Sequence, residues 1–115
     1  MSVKRHEPSK IYSKVVEANG FVITSGIVAE NINQDVAGQT REIVAEIDRL
    51  LALCGTDKTK AVSAQIWLSD IRLRDAMNAV WNAWTGGDNL PTRACVEAAL
   101  ADPRMLVEIQ VTAVK

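Results

Sequence analysis

Histidine is almost absent from this chain. There is one, His6, beside two cysteines, Cys54 and Cys95, and no CxxC pair. Two cysteines do not make a disulfide framework, and so few scattered ligands do not read as a zinc site, so the expectation is a reduced protein with no metal and no cofactor. Long apolar runs are also missing, and nothing approaches the length of a transmembrane helix. The opening residues, Met1-Ser2-Val3-Lys4-Arg5-His6, lack the apolar core of a signal peptide. A cytoplasmic location is therefore expected. An excess of positive charge is missing too: 13 Lys and Arg stand against 14 Asp and Glu, for a net charge of −1. A nucleic-acid binder more often shows a basic surplus. Lys4, Arg5, Lys10 and Lys14 gather near the N-terminus, but Glu7 and Glu17 dilute them, and they are read as solvated surface on a loose segment. With no internal repeat, low-complexity tract or linker, residues 1–115 are read as one domain with enough length for a core.

The residues that are present fall into a clear order. Asn19-Gly20 lies between two β-rich runs, Val15–Ala18 and Phe21–Thr24. A type I′ hairpin turn needs positive φ at both central residues, which this pair tolerates. Gly26 ends the second run, and a loop follows to Asp35. Ile43, Val44, Ile47, Leu50, Leu51 and Cys54 then recur at helical spacing, with Asp35 as N-cap and Gly55 as stop. Ala61–Leu68 reads as a strand. Asp70 caps a second helix whose stripe is Met77, Val80, Trp81 and Trp84, and Gly86-Gly87 ends it. Two more strands follow, one from Pro91 and one over Leu106–Val114. The result is an α+β domain of order ββαβαββ, with two helices on one face of a mixed sheet. The other face then carries Trp67, Arg93, Cys95, Glu108 and Gln110, too apolar a mixture to stay fully wet, which suggests an oligomer.

Pro91-Thr92-Arg93-Ala94-Cys95-Val96-Glu97 sets a guanidinium among small residues. Strict alternation puts Thr92, Ala94 and Val96 on the core face and Arg93 with Cys95 on the other. Arg93 and Glu108 then share the polar face of neighbouring strands. They are either a structural ion pair or a small-anion site in which the arginine fork grips a carboxylate and the glutamate holds a water. Cys95 lacks a histidine base close in sequence and reads better as packing than as a nucleophile. Cys54 belongs to the helix stripe. Asn78, one position off its stripe, is by default a solvated helix residue, and Tyr12 alone says nothing.

The same seven residues resemble the signature of the RidA family of reactive-intermediate deaminases, also called the YjgF or UK-type translation-inhibitor family. Ile11-Tyr12-Ser13-Lys14-Val15-Val16, Phe21-Val22-Ile23-Thr24-Ser25-Gly26, Met77-Asn78-Ala79-Val80-Trp81 and Val107-Glu108-Ile109-Gln110-Val111 resemble family segments in the same order. The resemblance implies a chorismate-mutase-like subunit in a homotrimer, with active sites between subunits. It implies hydrolysis of 2-imino acids or their enamine tautomers, such as 2-iminobutanoate and 2-iminopropanoate, to 2-keto acids and ammonia, which protects pyridoxal-phosphate enzymes. It assigns Arg93 to the substrate carboxylate and Glu108 to the attacking water. Cys95 would contribute backbone groups, Tyr12 of a neighbouring subunit would close the pocket, and Asn78 would serve a more structural role beside it. The chain departs from the family pattern at Lys10-Ile11, at Ile27 and at Trp81 and Trp84, where Gly-Pro, glutamine, tyrosine and phenylalanine are common. The competing expectation is a non-catalytic carboxylate-binding regulator or chaperone on the same trimer. A second carboxylate, Glu108, favours the enzyme, because a plain anion receptor has no use for it.

Overall fold

The computed structural model describes residues 2–115. Along the chain come β1 (Val3–Pro8), β2 (Ser13–Ala18), β3 (Phe21–Thr24), α1 (Val36–Leu53), β4 (Ala61–Leu68), α2 (Arg74–Thr85), β5 (Thr92–Glu97) and β6 (Val107–Val114). The strands form one sheet in the order β1-β2-β3-β6-β4-β5. β4 and β5 are parallel, joined through α2, and the other pairs are antiparallel. The expected α+β class with two helices on a mixed sheet is what the chain forms.

Local chemistry accounts for the elements. Asn19 and Gly20 both adopt positive φ, 50° and 81°, and close the β2–β3 hairpin as a type I′ pair requires. Asp35 accepts a hydrogen bond from the Gly38 amide at 2.8 Å and caps α1. Gly86, at φ 68°, turns the chain out of α2. Between the helices and the sheet lies one core that includes Ile43, Ile47, Leu50 and Met77 with Ile66, Ile109 and Val111, all buried. Trp84 seals the gap between the helices by donating its indole N–H to Asp48 on α1 at 3.1 Å.

Gln39 is a polar residue inside this core, fully buried. Its amide donates to the carbonyls of Gln34 and Arg104, at 3.1 and 2.9 Å, and its oxygen accepts from the Leu106 amide at 2.9 Å. It therefore ties the start of α1 to the segment that enters β6. Gln39→Ala leaves three backbone groups, two carbonyls and one amide, without their buried partner and is expected to cost about 1–3 kcal/mol. Urea denaturation at neutral pH measures this, as a lower midpoint with an unchanged slope.

The structure corrects the reading of the edge strands at two points. First, the N-terminal segment is not loose: Val3–Pro8 is a sixth strand, paired along β2 from Val3 opposite Ala18 to Pro8 opposite Ser13. As an edge strand with mostly exposed side chains, it has no apolar alternation to betray it. Second, the faces of β5 are inverted. Arg93 stands in register with Ala64 and Cys95 with Ile66. Ala64 and Ile66 are buried under the helices, so Arg93 and Cys95 point to the helix face. Thr92, Ala94 and Val96 point to the open face, where Val96 is 45% exposed. β5 is an edge strand with no fully buried residue, so its small residues are not core residues and alternation misleads.

Candidate active site in two halves

Arg93 does not lie beside Glu108. Between β5 and β6 runs β4, so the two strands are two spacings, roughly 10 Å, apart. Glu108 is in register with Trp67, and both lie on the face away from the helices, opposite to Arg93. The expected sharing of one face by Arg93, Cys95, Glu108 and Gln110 therefore fails within one chain, and so does the alternative of an intrachain ion pair. Arg93 instead lines one groove, and Glu108 lies against Gly26, which lines another.

The first groove lies between β5 and α2, about 260 Å³ in volume, and is lined by Asn78, Trp81, Asn82, Leu90, Pro91 and Arg93. The Arg93 guanidinium carbon sits 5.4 Å from the centre of the Trp81 ring. That aromatic face attracts the cation and holds its plane while leaving the N–H fork free. No carboxylate pairs with Arg93 among the described residues. Asn78 is not a simple solvated residue: its Oδ1 is buried and has no hydrogen-bond partner among the described residues. Cys95 is half-buried against the core. Burial pushes its thiol pKa up, opposed by Arg93 and Arg74, so the protonated thiol dominates at neutral pH. This supports packing rather than nucleophilic attack.

The second groove, about 180 Å³, lies where the chain leaves β3 and is lined by Tyr12, Lys14, Ser25, Gly26, Ile27, Val28 and Glu30. Tyr12 sits in the β1–β2 turn, which Ser9 closes: the Ser9 amide donates to the Tyr12 carbonyl at 2.8 Å. Its side chain is 58% exposed and without cover. Ser25 carries the second buried polar atom without a partner, Oγ. Glu108 lies directly against Gly26. A Cβ added there would strike the Glu108 carboxylate, whose carboxyl carbon is only 2.9 Å from that position. Gly26 is thus required for the carboxylate to sit where it does, against a residue that lines the groove. Sequence reasoning named neither Ser25 nor Gly26 as a site residue; the Ser-Gly pair at the end of β3 was the available signal.

Burial alone raises the Glu108 pKa from 4.5. The sign follows from linkage. A carboxyl whose folded pKa exceeds its unfolded value supports folding in its protonated form, below the unfolded pKa, and that support is lost as pH rises through the folded pKa. The ionised side chain is therefore a burden at neutral pH. Glu108→Gln is expected to raise the urea midpoint relative to wild type at pH 7, and the gain should vanish below the unfolded pKa. Equal midpoints at pH 7 would show that the carboxylate is fully solvated.

Comparison with known proteins places this fold. The family model described as "Endoribonuclease L-PSP" matches residues 3–115. A RutC family protein of Haemophilus influenzae is 39% identical over 98% of both chains. The RutC family protein YoaB of Escherichia coli is 34% identical over 98% of both. The crystal structure of a YjgF family member from Neisseria meningitidis superposes with a TM-score of 0.96 at 45% identity, covering 100% of this chain and 96% of that one. An α+β subunit with two helices on a six-stranded sheet is the architecture of that class. The chain belongs to the RutC/YjgF family, of which a Rid protein of Yersinia pestis, at 28% identity and a TM-score of 0.91, is a further structural relative. No helix among the described residues is long and apolar enough to cross a membrane.

Proposed function

We propose that the chain hydrolyses 2-imino acids and their enamine tautomers to 2-keto acids and ammonia, in a homotrimer whose sites form where the Arg93 groove of one subunit meets the Glu108 groove of the next. The observation that carries this reading is the division of the site. Each groove holds one buried polar atom without a partner, Asn78 Oδ1 in one and Ser25 Oγ in the other. Buried polar groups are normally paired, so each has bonding capacity for a water, a ligand or a neighbouring subunit. The open sheet face supports assembly, since Ile23, Phe21 and Val96 are exposed there beside half-buried Trp67.

The chemistry suits these parts. The Arg93 fork, held over Trp81, takes the substrate carboxylate through two parallel hydrogen bonds. A protonated imine carbon is already electrophilic, so no cofactor is required. Water attacks it while Glu108, with its raised pKa, accepts the water's proton. The resulting carbinolamine expels ammonia as the proton returns to the leaving nitrogen. The reaction balances as iminium plus water giving keto acid plus ammonium. Tyr12 closes the pocket from the second subunit, and the Cys95 backbone lines it from the first. Positioning of this kind is worth several kcal/mol, with about 7–11 as the upper range.

The word endoribonuclease in the family model's description is not carried to this chain. Ribonuclease chemistry commonly uses a histidine base, and the single histidine, His6, is bound to Glu17 at 2.6 Å, with neither residue lining either groove. The test is turnover of 2-iminobutanoate and 2-iminopropanoate made in place by an amino-acid oxidase, with semicarbazide competing for the imine. The protein should suppress semicarbazone formation in proportion to its concentration. A trimer mass should accompany this activity. An unchanged semicarbazone yield from assembled protein would leave a carboxylate receptor without turnover.

A further inference from the structure

His6, Glu17 and Cys54 are distant in sequence, but the fold brings them together. β1 supplies the histidine, β2 the carboxylate and the residue that ends α1 the thiol. One ligand atom of each lies within 4.8 Å of the other two. This clustering requires the N-terminal strand, which is why the sequence spacing gave no zinc pattern. We propose that His6, Glu17 and Cys54 form a binding site for a divalent cation of the zinc class, separate from the catalytic grooves, in which the side chain of Lys115 occupies the cation's place when no metal is bound.

The donor set favours this ion. Imidazole nitrogen, thiolate sulfur and carboxylate oxygen are together a zinc or cobalt set, whereas magnesium and calcium prefer oxygen alone. Metal–ligand bonds of about 2.0–2.3 Å in a tetrahedron put ligand atoms roughly 3.3–3.8 Å apart. His6 Nε2 and Glu17 Oε2 are now 2.6 Å apart, at hydrogen-bond distance. Small side-chain rotations would open that edge, with water as the fourth ligand. An entry path exists: a groove of about 200 Å³, whose lining includes Lys4, Glu17, Asn19, Gly20 and Lys115, opens at Glu17.

A structural ion pair explains only part of the arrangement. His6 and Lys115 already satisfy the Glu17 carboxylate, with Lys115 Nζ 2.7 Å from Oε1. They hold its pKa down to about 2. The Cys54 thiol, buried at the end of α1, adds a third metal-ligating atom beside that anion. Burial first, and then the Glu17 charge, push the Cys54 pKa up. A divalent cation reverses this, because it favours both the carboxylate and the thiolate. Lys115 is the flexible competitor, with its side chain 45% exposed and free to swing into water. On binding, Cys54 gives one proton to solvent, His6 ligates as neutral imidazole through Nε2, and the Lys115 ammonium leaves still charged.

The test is titration of untagged, metal-free protein with Co²⁺. One equivalent should produce a thiolate-to-cobalt charge-transfer band and the strong visible bands of tetrahedral cobalt, and Zn²⁺ should bleach both. Cys54→Ser should abolish the charge-transfer band. His6→Ala, on an exposed strand where folding is not at stake, should weaken binding at least about 10-fold. Lys115→Met should tighten it, by removing the competitor. Zn²⁺ should also raise the Tm of wild type and leave His6→Ala unmoved. Absence of the charge-transfer band at millimolar Co²⁺ overturns the proposal. So does a band that persists in Cys54→Ser, which would place the metal on Cys95, or affinity unchanged in His6→Ala.

Discussion

Arg93→Ala is expected to lower kcat/KM for 2-iminobutanoate and 2-iminopropanoate by about 30- to 4,000-fold, equivalent to roughly 2–5 kcal/mol of transition-state binding. The size follows from the setting. The guanidinium lies on the Trp81 ring with no carboxylate partner among the described residues, so its fork is free for an anion. Removing it leaves the substrate carboxylate in a groove with no other cationic side chain in its lining. Arg93→Lys should fail nearly as badly. Lysine keeps the charge but loses the planar stack on the indole and the two parallel N–H groups. Both variants should fold and assemble as wild type, because Arg93 is exposed on an edge strand and no core residue rests on its charge. Circular dichroism and solution mass are the controls. Wild-type turnover by a correctly assembled Arg93→Ala protein would remove the arginine from the site and with it the deaminase reading.

The same arginine shows how much could be read in the sequence. The β2–β3 hairpin, both helices with the α1 cap, and the strands β4 and β6 follow from turn chemistry and from periods that burial enforces. In β6 the alternation is clean, with Val107, Ile109, Val111 and Ala113 all buried. Edge strands obey no such rule. β1 has side chains that are nearly all exposed, and those of β5 are exposed or half-buried, so neither carries a burial pattern to read. The consequence for the site was large. One inverted face joined Arg93 to Glu108 on paper, whereas the register with Ala64 and with Trp67 sets them on opposite sides of the sheet. The residue types that suggest carboxylate binding and water activation were visible in the sequence; their separation within one chain was not, because it depends on strand order, which nonlocal pairing sets. His6, Glu17 and Cys54 are the same lesson in reverse, scattered along the chain and adjacent in space.

That separation makes the second large effect a gain of activity from inactive parts. Glu108→Gln keeps the shape and loses the proton acceptor, so its activity should fall to a small fraction of wild type, as that of Arg93→Ala does. Side chains on opposite faces of one sheet cannot meet, and two strand spacings add to the gap. In the proposed homotrimer, a working site takes Arg93 from one subunit and Glu108 from the next, in a head-to-tail contact that closes a ring. When the two variants are unfolded together in equal amounts and refolded, half of all subunits carry an intact Arg93 and the other half an intact Glu108. Random assembly gives the two intact residues at about a quarter of the interfaces. The mixture should recover about a quarter of wild-type kcat, while each variant refolded alone stays near zero. The double variant mixed with wild type provides the control, since it too leaves about a quarter of sites intact but starts from an active partner. A mixture as inactive as its two parents, with mixed oligomers verified by mass, would mean that each site is built from a single chain and that the two grooves do not face one another.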